Sequence, residues 1–184
     1  MIILSIVIDI LSYADTMTNN RKRTVTLIRH AKSSWSNPSF TDFERPLNKR
    51  GVRDAPRVGT ALEQAGISFD RVLCSDAQRA RQTLTLLGQG IEIDEGIIEY
   101  RHDMYGASAD HLLSCITEQP DSINDIALIG HNPGMESLAN SLAEEHVGSM
   151  QTCCVVHMEF DSEKWADLSL AAGEVGFLIR PRYL

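Results

Sequence analysis

The sequence predicts an α/β domain of three layers, a mostly parallel sheet flanked by helices, and two observations carry that reading. Short runs rich in apolar and β-branched residues, Thr24 to Ile28, Asp70 to Cys74 and Asp125 to Ile129, match strands buried on both faces. Between them lie amphipathic stretches with helix-capping residues, and strand alternating with helix gives parallel strands joined by crossovers.

In chain order, Thr24 to Trp35 reads TVTLIRHAKSSW, an apolar strand that ends abruptly in an arginine, a histidine and a lysine. SSWSNPSFTDFERPLN is polar with two prolines and reads as a loop over the strand ends. Asn48 can cap a helix from Lys49 to about Ala65, with Val52, Ala55, Val58 and Leu62 on one face, Gly66 at its end, and Pro56 kinking or splitting it. After the second strand, Ser75 or Asp76 caps a helix through Arg79, Leu84 and Leu87 to Gly88. IEIDEGIIEY holds a short strand and a turn, and Ser108 caps a helix with Leu112, Leu113 and Ile116, with Pro120 beyond its end. DIALI is followed by GHNPG, with Pro133 suited to the first turn of a helix from about Gly134 to Glu145. Cys153 to Phe160 and Val175 to Ile179 supply the last strands.

At 184 residues, 43% hydrophobic and 23% charged, the chain fits one globular domain. A net charge of -8 argues against nucleic acid and anionic membranes as partners, because phosphate backbones are held by clustered Lys and Arg. Any phosphate site is therefore local. Cys74, Cys115, Cys153 and Cys154 show no C-x-x-C spacing, so neither zinc nor a disulfide framework is suggested, and reduced thiols fit a cytoplasmic setting. The opening MIILSIVIDILSYADT lacks a positive n-region and is interrupted by Asp9, and its apolar run of about 11 residues falls short of a membrane span. Residues 1 to 16 read as an upstream-start extension or a loosely attached tail, because Met17 is an alternative start. The expected organisation is a weakly packed extension over residues 1–23 and a single domain over 24–184.

Three predicted strand ends each deliver a phosphate-compatible group: Arg29 and His30 after the first, Arg79 after the second, His131 after DIALIG. Arg79 lies a turn into its helix, where side chains lean back toward the N-terminus, whereas Arg81 points elsewhere. His131 stands just before a helix whose free N–H groups and dipole favour an anion. Two guanidinium forks and two imidazoles suit a phosphoryl group with charge on three equatorial oxygens. His30 is the candidate nucleophile, since a neutral imidazole can attack phosphorus to give a phosphohistidine that water then hydrolyses. His111 reads as lying on the exposed part of a helix, His146 just past a helix end, and His157 as a packing or surface residue in a strand. Arg45 either lines the pocket mouth or ties down the loop, Lys32 reads as a loop lysine or a source of positive potential, and Trp35 reads as a packing anchor.

LIRHAKSSW, DFERPLNKRG, SDAQRARQT, LIGHNPGMESLA and GFLIRPR, in that order from about Thr24 to the C-terminus, resemble the SixA-like phosphohistidine phosphatases of the histidine phosphatase superfamily. The resemblance implies a phosphoglycerate mutase-like fold and no cofactor or metal. It also implies His30 as the phosphorylated nucleophile, with Arg29, Arg79 and His131 binding the phosphoryl group. Two residues depart from the wider superfamily: Ala31 stands where a glycine is usual, and Ser36 lies near the asparagine of mutase-type members. The carboxylic acid that ester-cleaving members use falls in the segment matching IIEYRHDMYGAS, where Glu99, His102 and Asp103 all compete, with Glu99 the candidate carried forward. A phosphorylated imidazole takes its proton from solvent, so an unplaced acid favours P–N substrates. The expectation is a metal-independent phosphatase acting on phosphohistidine in a protein. Its rivals are a phosphatase for small phosphoesters and a non-catalytic phosphate-binding module.

Overall fold

The computed structural model describes residues 23–168, 170 and 172–184. The expected weakly packed extension over residues 1–23 lies outside them except for Arg23, which opens the first strand, is buried and donates to Ile123 O at 2.6 Å. Six strands, β1 (Arg23–Arg29), β2 (Arg71–Ser75), β3 (Ile98–Arg101), β4 (Asp125–Gly130), β5 (Val155–Phe160) and β6 (Glu174–Ile179), form one sheet in the order β3-β2-β4-β1-β5-β6. β3, β2, β4 and β1 are mutually parallel, and β5 runs antiparallel to both its neighbours. The mostly parallel sheet is therefore as the strand–helix alternation predicts. The three strand ends that carry the candidate residues belong to three adjacent central strands, β2, β4 and β1.

Alternation along each strand divides the core in two. Ile28, Val72, Cys74, Ala127 and Ile129 pack with Ala55, Val58, Leu62, Leu84 and Leu87 from α1 (Lys49–Gln64) and α2 (Gln78–Leu87). Leu27, Leu73, Ile126 and Leu128 pack on the other face with Leu112, Ile116, Leu138 and Leu142 from α3 (Ala109–Thr117) and α4 (Gly134–Leu142). Two helices cover each face, which gives the three layers.

Asn48 caps α1, its side chain accepting from the N–H groups of Arg50 and Gly51, and Ser108 caps α3 by accepting from His111 N. Several details differ from the sequence reading. α1 runs unbroken through Pro56. Its buried stripe includes Gly51 but not Val52, which is 49% exposed. Gly51 sets that phase: a Cβ there would lie 2.4 Å from the Lys32 carbonyl oxygen, so only a glycine lets α1 lie this close to the segment after β1. α2 has Ala77 at its cap with no side-chain cap bond. Ser75 makes a long contact to Ala77 N, 3.4 Å, and a short one to His131, 2.8 Å, so its hydroxyl serves the site more than the helix. α4 ends at Leu142, where Ala143 turns extended.

Candidate active site

The segment that follows β1 leaves the sheet without losing its partners. His30 N donates to Gly130 O at 3.0 Å, continuing the β1–β4 ladder by one residue, and Cys153 N donates back to the carbonyls of Arg29 and His30. Ala31 N then donates to Thr83 Oγ1 at 2.9 Å. Thr83 lies one turn beyond Arg79 on α2 and donates its own hydroxyl proton to Arg79 O at 2.6 Å. One face of α2 therefore fixes the backbone beside His30 and aims Arg79 at its ring.

His30 Nδ1 lies 2.7 Å from the Ala31 carbonyl. A carbonyl oxygen only accepts, so Nδ1 carries the proton and Nε2 holds the lone pair. Arg79 Nε donates to that Nε2 at 3.2 Å. Burial, with Arg79 and Arg29 adding to it, lowers the His30 pKa to about 4, so the ring is neutral at pH 7. An imidazole with one nitrogen tethered, the other unprotonated and an arginine at its edge is oriented for attack on an electrophile that the arginine also binds.

His131 follows β4, its ring 5.0 Å centroid to centroid from His30 and its Nε2 2.8 Å from Ser75 Oγ. Burial, then the neighbouring His30 and Arg79, lower its pKa to about 3. Arg29 donates from Nη1 to Met150 O at 2.7 Å, and it adds to the positive potential at both histidines. Among the described residues, Arg29 Nε and His131 Nδ1 are buried with no hydrogen-bond partner. Bare buried nitrogens are costly, and both belong to residues for which the sequence predicts a phosphoryl-binding role.

The wall facing these groups comes from residues the sequence did not single out. Tyr105 stands edge-on to His131 at 5.4 Å and donates its hydroxyl to Asp42 Oδ2 at 2.7 Å. Gly134 makes room for the Tyr105 loop, since a Cβ there would lie 2.1 Å from Ala107 O. Asp42 also receives Arg79 Nη2 on Oδ2 at 3.0 Å and Arg45 on Oδ1 at 2.7 and 3.0 Å, while its carbonyl accepts from Arg79 Nη1 at 2.5 Å. Arg45, buried, also donates to Ser33 Oγ at 2.9 Å, so of its two readings the loop-tying one describes its contacts. Trp35 is not a packing anchor. It is 73% exposed, with the Arg45 guanidinium 3.4 Å from its ring centroid, because a buried cation already occupies the face that would have packed inward.

His30, Arg79 and His131 are thus brought together, with Arg29 close enough to influence both rings. Glu99 lies on the edge strand β3 with its carboxylate 3.8 Å from Arg101. Asp103 is held by Arg101 and His111, and His102 by Asp76 at 3.0 Å. Asp103, His111 and Cys115 place ligand atoms within 4.8 Å of one another, a grouping the sequence spacing did not reveal. Arg101, 2.6 Å from Asp103, already supplies the positive charge there. Arg81 packs over Tyr100, away from His30 as expected. His111 and His146 are exposed.

A sequence profile of the histidine phosphatase superfamily (branch 1) matches residues 25–140. An uncharacterised chloroplastic protein of Arabidopsis thaliana is 30% identical over 174 residues, covering 90% of this chain and 79% of its own. A Nakamurella multipartitia structure described as a phosphohistidine phosphatase SixA superposes with TM-score 0.75 at 26% identity, over 87% of this chain and 96% of that one. One from Agrobacterium tumefaciens with the same description gives 0.74 at 26% identity, over 86% and 98%. Among the described residues, no helix is long and apolar enough to cross a membrane.

Proposed function

Because the chain belongs to the histidine phosphatase superfamily, we propose that it is a phosphatase for phosphohistidine on proteins, working through a phosphohistidine of its own at His30. The single observation that carries the reading is the His30 ring, tied at Nδ1 to Ala31 O and met at Nε2 by Arg79. The lone pair on Nε2 attacks phosphorus, the bond to the leaving group breaks, and water later displaces the phosphoryl group from His30. Arg79, Arg29 and His131 bind the phosphoryl oxygens, and Ser75 positions His131. Two guanidinium groups supply the charge compensation that a metal ion provides elsewhere, so turnover is independent of metal and unchanged by a chelator.

The preference for a P–N substrate rests on the acid candidates. Glu99, Asp103 and His102 each have a partner of their own. An alkoxide leaving group needs a placed acid, whereas an imidazole protonated from solvent leaves as a neutral ring. The catalytic unit in this reading is residues 24–184. Four free, buried cysteines support a reducing, cytoplasmic setting.

The test is to incubate the protein with a phosphorus-labelled phosphohistidine protein and quench in base. Label retained on the wild type and absent from His30→Ala is expected. Turnover without any label at position 30, or binding with neither label nor turnover, removes the proposal, the second outcome in favour of a binding module.

A further inference from the structure

The pocket holds a charge that phosphoryl binding does not call for. Both oxygens of Asp42 are fully engaged, Oδ1 by Arg45, and Oδ2 by Arg79 and the Tyr105 hydroxyl. The Tyr105 bond, then Arg45 and Arg79, hold its pKa down to about 2, so it is ionised at neutral pH. A carboxylate beside an anion site opposes the anion. Arg45, Arg79 and Tyr105 hold it in place, so a substrate bound here meets its charge.

Arg79 fixes where this charge stands. Its Nε touches His30 Nε2, and its Nη1 and Nη2 touch Asp42. Nucleophile and carboxylate thus contact different nitrogens of one guanidinium, Nε and Nη2. A phosphoryl group in line with Nε2 directs its leaving group away from His30. The Asp42 side chain is 45% exposed against 6% for Arg79, so it stands toward solvent, where a leaving group carried on a protein must arrive.

From this juxtaposition we infer that Asp42 is a specificity-determining residue: it accepts a hydrogen bond from the protonated distal ring nitrogen of a phosphorylated imidazole and disfavours leaving groups that carry negative charge. The inference rests on the phosphatase reading above and names what selects among its substrates. When the phosphoryl group takes the Arg79 Nη2 donor, a lone pair on Asp42 Oδ2 is released for the ring N–H. In the transfer, the His30 Nε2 lone pair forms the new P–N bond while the substrate's P–N bond breaks. The electron pair of the broken bond stays on the substrate nitrogen, the proton stays on the distal nitrogen, and the ring leaves as neutral imidazole. Asp42 moves no proton; it keeps one in place.

The experiment compares kcat/KM for phosphoimidazole, p-nitrophenyl phosphate and 3-phosphoglycerate in the wild type and in Asp42→Asn, which keeps shape and removes charge. The ratio of phosphoimidazole to 3-phosphoglycerate is expected to fall at least tenfold, the first substrate losing and the second gaining. Equal losses on all three substrates, or a ratio within twofold of wild type, overturn the inference. A wild-type measurement covers the case of a variant that does not fold: the ratio narrows as added salt screens the carboxylate, and a ratio that ignores salt also overturns the inference. A wild type that prefers 3-phosphoglycerate to phosphoimidazole removes the phosphohistidine reading. The change of ratio with charge at position 42 still decides the role of Asp42.

Discussion

The middle of the sheet and its carboxyl end each bury a histidine, and the two look alike until their neighbours are compared. His157, in the interior of β5, hydrogen-bonds Thr26 Oγ1 at 2.8 Å and stacks on Phe177 at 4.8 Å. Burial lowers its pKa to about 4, the same value as His30. Burial and a shifted pKa therefore do not separate the proposed nucleophile from a packed histidine. What differs is that His30 lies one residue past the strand, where its Nδ1 can reach a loop carbonyl and its Nε2 meets a guanidinium.

Substitutions at the two histidines break the comparison most sharply. His30→Ala is expected to lower kcat by roughly 10⁴-fold or more, the scale for losing a covalent nucleophile, with little change in the melting curve, measured by steady-state turnover and calorimetry. Arg79→Ala is next, costing roughly 10²–10³-fold in kcat/KM, the scale for one oxyanion donor; a change confined to KM would show that it binds ground and transition states alike. His157→Ala inverts the pattern: about 2–4 kcal/mol of stability is lost through the cavity and the unpaired Thr26 hydroxyl, while kcat of the folded fraction stays near wild type in denaturant-controlled assays.

The smallest effect concerns pH. His30 and His157 are lowered to about 4 and His131 to about 3 from 6.5. Below pH 6.5 the unfolded chain gains protons that the folded chain refuses. Their contribution to stability is therefore full above about 6.5, declines as pH falls toward 4 and 3, and is flat below. His157→Gln is expected to reduce the slope of unfolding free energy against pH by about one proton in that window, whereas the acid limb of the turnover profile, set by His30 in the proposed mechanism, is expected near pH 4 in either protein.

The strands and the approach of Arg79 and His131 to His30 were legible because each rests on local pattern: an apolar run, then a functional group at its end. β2, β4 and β1 being neighbours turned three strand ends into one pocket. Asp42 and Tyr105 were not legible. Each is a polar residue in a loop, and their meeting at 2.7 Å depends on how two loops fold over the sheet. The nearest sequence signal was Asp42 three residues before Arg45, a spacing that lets the two pair. Val52 was misplaced because its size suggested the core, while the helix phase follows Gly51, whose lack of a side chain is what permits the approach to Lys32.

That approach has a further consequence. Asn48 N donates to Lys32 O at 2.9 Å, Ser34 N donates to Pro46 O at 2.8 Å, and Ser33 bridges Leu47, so the chain is stapled at both feet before and after the loop that bears Asp42. The loop is an exchangeable cassette on a fixed base. A change in its length or composition leaves the backbone at His30 and Ala31, anchored on Gly130 and Thr83, where it stands.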